Sequence, residues 1–188
     1  ENRQPIEEGQ LKEVIRGIRQ DVLFPIEDDP FLEKVHEDLN GSARVVNTWI
    51  HPGRSVNLVH QDYLEDDFHT GILDHGLDEA VRQAVKVEES FIDQGYVYTD
   101  LKPENLRFFR RKGYAIDYLD ERAVRPLEEV ELGDALARSY DLFVEELGST
   151  VPGLEADQVE KLVDSHSSYT EAYGFTGSPY MDFVESKD

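Results

Sequence analysis

The stretch from Leu77 to Glu121 leaves this chain few ways to fold. Leu77, Val81, Ala84, Val85, Phe91 and Ile92 recur at helical spacing, so residues 77–94 read as an amphipathic helix with one face to bury. Gly95 supplies a residue able to end it. The polar run YTDLKPEN follows, and Pro103 stiffens it. NLRFF and GYAIDYL then read as two short β segments, with RRKG as the hairpin tip between them. A loop that feeds a hairpin brings the far end of the second strand back toward the loop. Asp117 is thereby expected at the same mouth as Asp100, Lys102 and Asn105.

The flanking sequence completes a mixed helix-and-strand pattern. Residues 7–20 carry Leu11, Val14, Ile15 and Ile18 at helical spacing. Pro25, Asp28 and Asp29 read as a break. PFLEKVHEDL, residues 30–39, opens with proline after an acidic cap and closes on Asn40-Gly41, which predicts a second helix. ARVVNTWI and SVNLVHQDYL, within 43–64, are rich in β-branched and aromatic residues and read as a strand pair turned by HPGR. LEDDFHTG reads as a polar connection and the seam of the chain. Residues 127–147 and 155–173 are expected to be helices, separated by Val151-Pro152-Gly153. The expected order is helix, helix, strand pair, helix, hairpin, helix, helix.

Acidic residues number 41 against 19 basic ones, a formal charge of −22. The apolar periodicity still allows a core, so disorder is not the expectation. Self-repulsion at this charge destabilises a compact chain in dilute salt, which points to a halophilic source where screening is strong. Clustered cations are scarce, which disfavours nucleic acid as a partner. Arg107, Arg110, Arg111 and Lys112 read as a hairpin tip with counter-charges. Cysteine is absent, so disulfides and thiolate metal sites are excluded, and a cytoplasmic location fits. No run of eighteen apolar residues and no leader pattern is present, so no membrane partner is expected. The histidines show no ligand spacing and read as isolated surface or core residues.

The loop carries the residue types that phosphoryl transfer needs: a carboxylate to orient the attacking hydroxyl, a cation for developing charge, and oxygen ligands for magnesium. DLKPEN, residues 100–105, resembles the catalytic loop of the eukaryotic-type protein kinases, H-R-D-L-K-x-x-N. The helix before it and the hairpin after it are similar to that family's C-lobe helix and metal-loop hairpin. SVNLVHQDYLEDD resembles the last N-lobe strand, and PFLEKVHEDL the N-lobe helix. The likeness covers roughly residues 28–173 and is strongest at 77–121. It implies an α+β kinase-like fold with a reduced N-lobe over 1–67, a helical C-lobe over 68–173, and a flexible tail over 174–188. Asp100 and Lys102 would be catalytic. Asn105 and Asp117 would bind the cofactors, ATP and Mg2+, as metal ligands.

The departures from the family pattern are as informative. Tyr98 and Thr99 stand where His and Arg are usual, and Tyr118 and Leu119 replace Phe and Gly of D-F-G. Without that Arg, control through an activation-loop phosphate is not expected. No G-x-G-x-x-G occurs, and no lysine of the V-A-I-K type precedes the N-lobe helix; Lys12 lies in a helical segment. Glu33 and Glu37 read as a solvated helix face. Only RAVRPL separates the metal loop from the next helix, a compactness similar to the RIO and Bud32 kinases. The first residue is Glu1, so upstream residues bearing a Gly-rich loop and a lysine are an open expectation. The leading expectation is an atypical serine/threonine phosphotransferase, acting on a protein or small-molecule hydroxyl. Two alternatives belong to other classes: a pseudokinase that serves as a binding module, and a regulator whose acidic surface engages a basic partner. The tail aromatics Phe175, Tyr180 and Phe183 are candidates to dock on this chain or on a protein partner.

Overall fold

Asp29 begins the first described helix by the mechanism its sequence predicts. Its carboxylate accepts the Phe31 N–H at 2.9 Å, and Pro30 occupies the position where a missing N–H costs nothing. In the computed structural model, which describes residues 22–26, 28–54 and 56–175, this helix is α1, Pro30–Leu39. It buries Leu32, Val35 and Leu39. Gly41, with φ of 81°, turns the chain away. Asn40 then acts as a mock strand neighbour: its side chain exchanges two 3.0 Å hydrogen bonds with the backbone of Thr48. The helix expected over 7–20 lies outside the described residues, as do Lys12, Tyr180 and Phe183.

The break expected around Pro25 is a strand. β1, Val22–Ile26, pairs antiparallel with β3, Asn57–Gln61, which also pairs with β2, Thr48–His51, giving the order β1-β3-β2. Proline is tolerated because β1 has one strand neighbour among the described residues. The strand pair expected within 43–64 is real but shorter. Val45 instead makes a parallel bridge to Ala115, and Ala115 N–H donates to the Arg44 carbonyl at 2.8 Å. That bridge joins the first sheet's half of the molecule to the hairpin strand that Asp117 follows by two residues.

LEDDFHTG is not a plain connection. Asp66–Asp67 forms the short strand β4, and Phe68–His75 forms α2, capped by Asp67 accepting the Thr70 N–H at 2.8 Å. The acids concealed a helix start, with Phe68 completely buried beneath them. Gly71 is tight against the Phe108 ring: a Cβ there would sit 2.5 Å from a ring carbon. Helix propensity alone favours alanine over glycine by about 1 kcal/mol. Overpacking costs about 1–3 kcal/mol and decides the sign. Gly71→Ala is expected to lower the urea midpoint by a net loss of up to about 2 kcal/mol with an unchanged denaturant slope.

The long helix α3, Leu77–Ile92, and the strand β5, Tyr96–Tyr98, bracket Gly95 with its φ of 86°. The expected hairpin is β6, Leu106–Phe109, paired with β7, Lys112–Ala115; β4 adds to its other side. Its tip is only Arg110-Arg111, both left-handed, while Lys112 and Gly113 belong to the strand. Gln83 of α3 fastens the hairpin: its side-chain oxygen accepts from Gly113 N–H and from the Arg44 guanidinium. β8, Val124–Pro126, pairs with β5.

Both C-terminal helices are shorter than the periodicity suggests. A 3-10 turn, Leu127–Glu129, precedes α4, Leu132–Thr150, which starts on a Glu131 side-chain cap. α5 spans Ala156–His166, and residues 167–173 form turns instead of a continued helix. Those turns bring Tyr173 onto Tyr140, ring centroids 4.9 Å apart, and Phe175 edge-on to Tyr173 at 5.9 Å. One of the tail aromatics therefore docks on its own chain. Among the described residues, no helix is long and apolar enough to cross a membrane.

Candidate active site

Tyr98 ends β5 fully buried, its ring stacked on Phe91 of α3 with centroids 4.8 Å apart. The chain leaves this anchor as Thr99 and Asp100. Backbone hydrogen bonds Lys102 N–H to Asp100 O (2.9 Å) and Asn105 N–H to Lys102 O (3.0 Å) fold the loop into two tight turns. Pro103 starts the 3-10 turn Pro103–Asn105. Three of the four predicted site residues thereby gather. Asn105 donates from its amide nitrogen to the Asp100 carbonyl (3.0 Å) and to the Asp100 carboxylate (2.8 Å). Lys102 Nζ lies 3.0 Å from the other Asp100 oxygen and 3.9 Å from Glu104. The Asp100 carboxylate holds the Lys102 ammonium above its ordinary range.

Asn105 is buried, and both its partners are acceptors, so the nitrogen must face them. The amide oxygen is left as its donor atom toward a metal. Asp117 arrives from the other strand of the hairpin. Leu106 pairs with Ala115, and Ile116 N–H donates to the Asn105 carbonyl at 2.9 Å. Asp117 is left-handed, φ 52°, a conformation in which aspartate is tolerated better than most residues. The Tyr98 hydroxyl stands between loop and hairpin and donates to the Ile116 carbonyl at 3.0 Å. Its pKa is pushed well up, first by burial, then by the charges of Asp100 and Asp117. One phenol thus feels both acids of the candidate site.

A cleft of about 440 Å³ opens beside Asp117. Phe24, Ile26 and Leu32, from β1 and α1, supply apolar lining, and Asp29, Asp117, Leu119, Asp120, Glu121 and Arg122 are also at its wall. Asp100, Lys102 and Asn105 do not line it. Tyr118 is turned away into the core, packed against Phe91 with centroids 6.3 Å apart, and burial raises its hydroxyl to about 12. β1 precedes α1, the place where the resemblance asks for a lysine, and VLFPI has none. Glu33 and Glu37 are exposed on α1, as expected of a solvated face. Among the described residues, no three His, Asp or Glu side chains group as a metal cage.

One group escaped the sequence reading. Glu88 of α3 is completely buried, accepts the Tyr98 N–H at 2.9 Å, and touches Ser139 of α4 at 3.0 Å. Burial raises its pKa to about 8. The signal was present: Ala84, Val85, Phe91 and Ile92, at three and four residues to either side, are all apolar and all core.

No family model and no curated protein matches this chain. Among solved structures it is similar to a divergent Toxoplasma kinase that lacks the glycine-rich loop and regulates membrane ultrastructure of the parasitophorous vacuole. The TM-score is 0.53 at 10% identity, over 89% of this chain and 72% of that one. At that identity the likeness concerns the fold, and the fold is kinase-like.

Proposed function

We propose that this chain is an ATP- and Mg2+-dependent phosphotransferase of atypical serine/threonine kinase type, acting on a hydroxyl acceptor. The observation that carries the reading is the hydrogen-bonded set Asp100–Lys102–Asn105, tied through Tyr98 to the strand end that bears Asp117. Asp100 would orient the acceptor hydroxyl and take its proton. Lys102, held on Asp100 here, would turn to the transferred phosphate.

The donor set suits magnesium. One amide oxygen from Asn105 and one carboxylate from Asp117 are hard ligands, and magnesium commonly takes one or two carboxylates with phosphate and water completing its shell. Bound there, Mg2+ would neutralise charge on the β- and γ-phosphates. The cleft gives a further reason to expect metal dependence. Among the described residues, Asp29, Asp117, Asp120 and Glu121 line it against the single cation Arg122, so this lining would repel a bare triphosphate. The short run between Asp117 and α4 suits a compact kinase of the RIO or Bud32 kind, and the acidic surface suits concentrated salt.

Calorimetric titration with ATP tests this reading. Binding is expected with Mg2+ and to be at least about tenfold weaker without it, a difference of about 1.4 kcal/mol or more. Asp117→Asn, which suits the left-handed backbone, is expected to erase that metal dependence. Equal affinity with and without the metal in the parent chain would remove the reading. A specific observation favours a second one: β1 lacks a lysine for the phosphates. A pseudokinase would bind nucleotide yet transfer no phosphate at any metal concentration.

A further inference from the structure

Ser139 has one hydroxyl proton and two close oxygen neighbours. Its Oγ lies 2.8 Å from the Tyr98 carbonyl and 3.0 Å from Glu88 Oε2. The carbonyl can only accept, so the Ser139 proton belongs to it. The contact with Glu88 then needs a proton of its own, and only Glu88 can supply it. An ionised Glu88 would leave either the Tyr98 carbonyl or the Ser139–Glu88 contact without a proton, at a site closed to water. No cation is paired with Glu88 among the described residues. The titratable groups that feel its charge are the phenols of Tyr98, from β5, and Tyr140, from α4.

We propose that Glu88 is a neutral carboxylic acid that positions the catalytic loop by closing a ring of three hydrogen bonds around the Tyr98 peptide. Glu88 Oε2–H donates to Ser139, Ser139 donates to the Tyr98 carbonyl, and the Tyr98 N–H donates back to Glu88 Oε1. The ring clamps both backbone groups of the residue two places before Asp100 and ties α3, β5 and α4 at one point. Burial, which raises the Glu88 pKa to about 8, agrees with the proton count. The consequence for turnover rests on the phosphotransferase reading; the ring itself does not.

The sign of the pH effect follows. An unfolded glutamate releases its proton above about 4.5, and the folded one keeps it to about 8. Between these values the folded chain holds one more proton, so the stability that the acid contributes is full below the lower value and is lost as pH rises through the window. Glu88→Gln keeps an acceptor for Tyr98 N–H and a donor for Ser139, and cannot titrate. Urea unfolding of the whole chain, wild type against E88Q, from pH 5 to 9, is the experiment. The ratio of their unfolding constants should climb about tenfold per pH unit toward 8 and then level. A ratio independent of pH would overturn the ring.

Phosphoryl transfer gives the second readout. Wild-type turnover should fall as pH passes about 8 with ATP affinity held, Glu88→Leu should be slow throughout, and E88Q should rescue it with a flat alkaline limb. Linkage without transfer in any variant would discard the phosphotransferase reading and leave the ring standing. Transfer in the absence of linkage would do the reverse.

Discussion

Asp100→Asn is expected to reduce phosphoryl transfer by about 10²–10⁴-fold, the usual worth of a positioned general base. Nucleotide affinity should change little, because Asp100 does not line the cleft beside Asp117. The amide keeps the shape of the side chain and can still accept from Asn105, so the loop should hold its turns. What it loses is the ability to take a proton and the charge that holds Lys102 at 3.0 Å. Transfer from radiolabelled ATP to water or to the chain itself measures the effect without a known acceptor. Turnover equal to wild type would remove Asp100 from the mechanism.

The largest effect on stability is expected at Phe143. It is completely buried on α4 and meets Phe68 of α2 edge to face, centroids 5.5 Å apart and planes at 87°. Phe68 in turn lies 5.7 Å from Phe108 of β6, the strand that begins just after Asn105. Phe143→Ala removes the α4 end of a stack joining α4, α2 and the hairpin, and leaves Phe68 without its edge-to-face partner. The expected loss is about 3–5 kcal/mol in chemical denaturation, against a total of about 5–15 kcal/mol for an ordinary domain. Phe143→Leu should recover much of it, since most of the volume returns. A loss for the alanine variant below about 1 kcal/mol would mean that the stack carries no load.

How much of this was legible in the sequence depends on whether local chemistry or distant neighbours decided each element. α1 was legible to the residue, because Asp29, Pro30, Asn40 and Gly41 fix both ends locally. α3 and the β6–β7 hairpin were legible for the same reason, through one apolar face, Gly95 and two alternating runs. β1 was hidden because proline is a breaker until an edge position excuses it. α2 was hidden because three acids precede its one decisive buried residue, Phe68. α5 was overextended because Tyr169 and Tyr173 continue its apolar spacing while serving a turn. At the site, the loop Asp100–Asn105 came from motif spacing. The contribution of Glu88 depends on Ser139, fifty-one residues away, which no local pattern reveals.

The central claim is that Asn105 and Asp117 converge on one divalent ion beside a nucleotide. Crystals grown with a non-hydrolysable ATP analogue and Mn2+ test it directly, because manganese can stand in for magnesium and scatters anomalously. The account predicts one manganese peak about 2.1 Å from the Asn105 amide oxygen and from an Asp117 carboxylate oxygen, bridged to the phosphates. A cleft without nucleotide, or manganese held by Asp29 and Glu121 with Asn105 uninvolved, would contradict it.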